Sequence, residues 1–143
     1  MADNTDMIPS VDAAKVLSGN AVQINTLNTD TFDGKITALN ALNNAVSLKD
    51  ANSSLKICDC IALPGVRKGR NNTADTECQN TYLIDVDGNA YFTQSDGIAR
   101  SVRMIYMLFP DFGKSSDAGY LKVRVVEKKL PNGNTIKSLV VDA

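Results

Sequence analysis

Residues 55 to 63, "LKICDCIAL", alternate Leu55, Ile57, Asp59, Ile61 and Leu63 with Lys56, Cys58, Cys60 and Ala62. That is the two-residue period of a strand with one face more apolar than the other. Pro64 and Gly65 are expected to end this strand, and "GVRKGRNNTADTE" after it reads as a Gly- and Asn-rich loop. An extended pattern resumes in "CQNTYLIDV", turns at Asp87-Gly88 and runs back through "NAYFT". Ser95 or Asp96 caps a helix beginning near Gly97, in which Ile98, Val102, Ile105 and Phe109 recur at spacings of four, three and four. Arg100 and Arg103 fall off that apolar stripe, and Pro110 and Gly113 stop the helix. "YLKVRVVEKK" is a further strand, with Tyr120, Lys122 and Arg124 on one face and Leu121, Val123 and Val125 on the other. A Pro-Asn-Gly turn in "LPNGNT" leads to the returning strand "IKSLVVDA".

Ahead of Leu55 the signals are weaker. "PSVDAAKVLSGN" predicts a short helix between Ser10 and Gly19, and Asp33-Gly34 reads as the turn of a weak hairpin between Ala21 and Leu48. The expected architecture is mainly β. Strand, loop, strand, turn, strand, helix, strand, turn, strand is the order of a five-stranded OB-fold-like barrel with one helix between strands 3 and 4. An N-terminal β/helical extension precedes it, partly flexible over residues 1–20, and residues 21–143 form one domain, as a chain of 143 residues allows.

Within "YLIDVDGNAYF", residues 82 to 92, Asp85, Asp87 and Asn89 alternate as ligands do in a calcium loop. The spacing argues against calcium, because Gly88 is the fourth residue counted from Asp85, whereas an EF-hand loop requires glycine at its sixth position and a distant Glu. The segment reads as a hairpin turn instead.

Charge is nearly balanced overall, at -1, but unevenly distributed: residues 1–64 hold 4 Lys+Arg against 7 Asp+Glu, and residues 65–143 hold 11 against 9. Lys122, Arg124, Lys128, Lys129 and Lys137 face only Glu127 between positions 120 and 137, so the last strand pair is locally basic. Cys58, Cys60 and Cys78 make an odd count with no His in the chain, so they read as reduced, and a zinc site would need a carboxylate as its fourth ligand. Without His the commonest general base is missing, and neither a P-loop nor a serine elbow occurs. Asp85 and Asp87 form the best carboxylate pair for Mg2+, but no further carboxylate cluster stands near them in sequence. The expectation is a non-enzyme without cofactor or metal. No apolar run reaches the roughly 18 residues of a membrane span, and "MADNTDMIPS" lacks the regions of a signal peptide.

Sequence-tolerant binding of single-stranded nucleic acid needs cations to follow phosphates and flat rings on which bases stack. Here Tyr82 precedes the Asp87-Gly88 turn, Tyr91 and Phe92 follow it, Tyr120 adjoins Lys122 and Arg124, and Arg67, Lys68 and Arg70 crowd one loop. Tyr91 and Tyr120 are expected outward and Phe92 inward, since strand neighbours point to opposite faces. Lys128 and Lys129 read as solvated surface near a turn.

"YLKVRVVEKKLPNGNTIKSLVV" together with "IDVDGNAYFTQSDGIARSV" and "TDTFDGKITALNAL" resembles the small single-stranded DNA-binding proteins of tailed phages that replicate linear genomes by protein priming. The resemblance covers roughly residues 21 to 143. It implies a protein that coats and protects displaced strands in the cytoplasm of the infected bacterial host, with no catalytic residue or cofactor. Tyr82, Tyr91, Lys122 and Arg124 would be the chief DNA contacts, and self-association along DNA or replication proteins are the implied further partners. The competing expectation is a non-enzymatic phage structural or assembly protein with a small β-barrel.

Overall fold

The computed structural model describes residues 23–48 and 54–142. The expected helix between Ser10 and Gly19, and the extension as a whole, lie outside the described residues. Among these residues seven strands and two helices follow in the order β1 (Ile24–Asn25), α1 (Phe32–Asn44), β2 (Val46–Ser47), β3 (Ser54–Arg67), β4 (Thr76–Asp85), β5 (Ala90–Thr93), α2 (Asp96–Leu108), β6 (Leu121–Lys129) and β7 (Thr135–Asp142). All strands join one sheet in the order β2-β5-β4-β3-β6-β7, with β1 also paired to β3. The fold is mainly β, as expected. It has two more strands than the five-stranded barrel, because β1 and β2 attach to β3 and β5.

The five long strands and α2 fall where the hydrophobic pattern places them, but three local readings are corrected. Pro64 and Gly65 do not end β3; they pair with Gln79 and Cys78. Along that stretch β3 has a strand neighbour on one side only among the described residues, which is where a residue without an N–H is tolerated. The loop thus shrinks to residues 68–75.

Asp33-Gly34 is not a hairpin turn. It lies in the first turn of α1, where the Thr31 hydroxyl accepts the Gly34 N–H at 3.0 Å and Asp33 faces the positive end of the helix dipole. An Asp-Gly pair suits a helix start as well as a turn, and the cap decides here. Small residues let α1 lie close on the sheet: Ala41 is buried, and Ala38 and Ala45 are half-buried against Ile61, Ile84, Ala90 and Tyr82.

The third correction is a β-bulge. Between Ile57 and Asp59 the register with β4 shifts, so the strict alternation expected for residues 55 to 63 breaks at Cys58. Ile57 therefore joins Cys60 and Ala62 in one core, beside Leu83, Val123, Val125, Leu139 and the α2 residues Ile98, Val102 and Ile105. Ile61 and Leu63 turn to the other face, under α1.

The sheet curls around α2. Ser95 caps the helix by accepting the Ile98 N–H at 3.3 Å. The Ser101 hydroxyl accepts the Leu139 N–H of β7 at 3.0 Å, and Arg103 donates to Gln79 of β4 at 3.1 Å. Those strands stand three places apart in the sheet, about 14 Å if it were flat, and a helix about 10 Å across touches both only because the sheet bends round it. Arg103 is buried although it falls off the apolar stripe, and burial lowers its pKa. Phe109 is correspondingly exposed, and Phe112 fills the core in its stead. Gly97 touches the Lys137 carbonyl so closely that a Cβ would collide with backbone. Gly97→Ala is expected to push α2 off β7 and cost about 1–3 kcal/mol. A thermal melt indistinguishable from wild type would show that the two elements separate at no cost.

Candidate nucleic-acid interface

The turn between β4 and β5 is built around one carboxylate. Asp85 Oδ1 accepts the backbone N–H groups of Asp87 and Asn89, both at 2.9 Å, while Oδ2 accepts from Asn89 Nδ2 at 3.4 Å and from the Tyr91 hydroxyl at 3.3 Å. Gly88 takes a φ of 86° and donates its N–H to the Asp85 carbonyl, a type I turn closed by a left-handed residue. "PNGN" repeats this geometry between β6 and β7, with Gly133 at φ 88° donating to the Leu130 carbonyl. The alternating oxygens of the motif therefore serve the turn. Among the described residues no group of three or more His, Cys, Asp or Glu stands close enough to hold a metal ion.

The turn places Tyr82 and Tyr91, both expected as DNA contacts, on opposite faces of the sheet, so the two do not share one surface. Tyr82 stands directly across from Phe92, their ring centroids 5.1 Å apart and tilted by 43°, and it packs with the cluster beneath α1. Phe92 is thus turned away from Tyr91, as expected, but toward α1. Tyr91 lies across from Leu83 at the β2 edge of the sheet. Burial, and then the Asp85 carboxylate, raise its pKa and keep the hydroxyl protonated as the donor.

On the outer face of β6 the structure brings Tyr120, Lys122 and Arg124 together with a residue the sequence reading missed. Lys56 of β3 is directly across from Lys122, and its Nζ stands 5.4 Å from the centroid of the Tyr120 ring. Lys56, Lys122 and Arg124 are exposed, and Lys128 continues the same face of β6. Asp142 of β7 is across from Lys122, yet its carboxylate pairs with Arg124 Nε at 3.1 Å. Like charges directly opposite on neighbouring strands destabilise a sheet. Lys56 could have been flagged from its place in the strand pattern, but only the register of β3 on β6 sets it beside Lys122.

The three cations expected in one loop are placed differently, Arg67 ending β3 and Lys68 and Arg70 lying in the loop. Arg67 bonds to Asp96 at 3.2 Å and to the Gln94 carbonyl at 2.5 Å, which ties the end of β3 to the start of α2, and its pKa is raised by the Asp96 carboxylate. Lys68 lies 3.5 Å from Asp75, and Arg70 is exposed at the loop tip. Eleven residues along β3 separate Arg67 from Lys56, about 35 Å on a straight strand, so the basic residues form two clusters.

The three cysteines are unpaired. Cys60 and Cys78 are buried, while burial and then the neighbouring Asp59 push the Cys58 thiol up to about 11, leaving it neutral and poorly nucleophilic near pH 7. Asp59 itself is bridged by Lys114 at 2.6 Å and by the Thr26 hydroxyl at 2.6 Å, pinning β1 and the loop after α2 to the bulge. No described helix is long and apolar enough to cross a membrane. Compared with known proteins, the chain matches no family model, no curated protein and no solved structure.

Proposed function

We propose that the protein binds single-stranded DNA and coats displaced strands during phage replication, as the resembled family of small phage proteins does. The observation that carries this reading is the row Lys56, Lys122, Arg124 and Lys128 beside the Tyr120 ring. A sheet that sets Lys56 against Lys122 accepts a local repulsion that an anion would relieve, and local conflicts of this kind concentrate at functional sites. Polyphosphate is the anion that fits a linear row of cations, and a neighbouring ring adds base stacking. The strand pairings favour the OB-fold reading. β5-β4-β3-β6-β7, with a helix between β5 and β6, has the connectivity of an OB barrel left open between its third and fifth long strands. Nothing in this role calls for catalysis, a metal or a cofactor.

A second reading, a phage structural or assembly protein, is favoured by the outward face of α1. Phe32 is 76% exposed and Leu39 57% exposed, with Ile36 and Leu42 beside them, an apolar stripe that suits a protein partner. A salt titration separates the two readings. Labelled oligodeoxythymidylate is expected to bind at low salt and to weaken with a log–log slope of about -0.7 per phosphate contacted, single strands outcompeting duplex. Absence of binding even at low salt rules out the DNA reading and leaves the structural one.

A further inference from the structure

A cleft of about 410 Å³ opens beside the β4–β5 turn, lined chiefly by Asn40 and Asn44 of α1, Val46 of β2, and Asn89 and Tyr91. Its chemistry differs from that of the cation row. It has no charged lining residue, and it offers three carboxamides, one aromatic residue and one apolar wall. Asn40 and Asn44 are four residues apart on α1 and so project from the same side of the helix. Asn89 and Tyr91 are tied together, because both donate to the same oxygen of Asp85. The Tyr91 hydroxyl is thereby held while the residue borders the cleft.

We infer that this cleft, which opens at the β5 edge of the sheet between α1 on one face and Tyr91 on the other, takes one unpaired nucleobase with its polar edge on the amides of Asn40, Asn44 and Asn89 and its apolar rim against Val46. An anion would find no cation in the lining, so a phosphate does not belong there. A base brings a flat apolar face and an edge of mixed donors and acceptors, the pattern that an Asn side chain matches by donating and accepting at once. A cleft of this size holds a purine with room for its sugar at the mouth. The site deepens the proposed DNA binding and rests on it: phosphates lie on the β3–β6 face, and this cleft supplies a contact made with bases.

The test compares a thymidine or adenosine oligonucleotide with an abasic strand of equal length, on wild type and on Asn40→Ala/Asn44→Ala. Alanine favours the helix at these two exposed positions, so the variant keeps its fold. Wild type is expected to prefer the strand with bases, and the variant to lose about tenfold of that preference at an unchanged salt slope. The same preference in variant and wild type overturns the base cleft while leaving DNA binding intact. Failure of wild type to bind either strand overturns both.

Discussion

Lys56→Ala combined with Lys122→Ala is expected to weaken single-strand binding roughly twentyfold at 0.1 M salt and to reduce the log–log salt slope by about 1.4, two contacts at about 0.7 each. The two ammonium groups lie on adjacent strands at one register position. Neither has a carboxylate partner among the described ion pairs, since Asp142, across from Lys122, is engaged by Arg124. The same substitution is expected to leave stability nearly unchanged. Removing the repulsion gains a few tenths of a kcal/mol, and losing the Lys56 contact with the Tyr120 ring forfeits about 0.5–1 kcal/mol. A melting curve and a salt titration on one protein therefore separate this role from a structural one. If affinity and slope both stay at the wild-type values, the β3–β6 face is not where the strand lies.

Asp85→Ala is expected to be the most destabilising of the polar substitutions, by about 3 kcal/mol. Four donors converge on that carboxylate, two of them backbone N–H groups of the turn, and Asp85 is 9% exposed. Hydrogen bonds to a charged acceptor are worth about 1.5–3 kcal/mol each, but the donors near the turn regain water when it is removed, so the sum is not additive. Asp85→Asn keeps one oxygen for the backbone donors and is expected to lose about 1 kcal/mol. Urea unfolding measures both. A wild-type midpoint for Asp85→Ala would mean that Gly88 alone sets the turn. Because Asp85 also holds Asn89 and Tyr91, either substitution should blunt the preference for strands with bases over abasic ones.

Much of the fold was legible because it is local. Alternation in "YLKVRVV" predicts which side chains of β6 are exposed, and Lys122 and Arg124 lie outside while Val123 and Val125 lie inside. The Asp-Gly-Asn and Asn-Gly-Asn turns and the Ser95 cap follow from short-range backbone chemistry in the same way. The start of α1 was misread for a related reason. Asp33-Gly34 is compatible with a turn and with a helix start, and the choice depends on the Thr31 cap and on the sheet surface that receives Ala38 and Ala41.

The site was legible in part. Residue types indicated cations and rings on strands, and Tyr120, Lys122 and Arg124 do stand together. The meeting of Lys56 with Lys122 was out of reach because strand register couples residues 66 positions apart through hydrogen bonds that no local pattern encodes. Tyr82 was drawn to the surface by its type, but α1 covers the face on which it and Phe92 meet.

The sequence by itself determined the five long strands, the two glycine turns, the helix between the third and fourth of those strands, and the absence of histidine chemistry, since each depends on residues within a few positions or on composition. Only the tertiary structure decided which faces those strands present. A single extra residue at Cys58 reverses the alternation of β3, because the side-chain period is two, and the docking of α1 then settles which rings are covered.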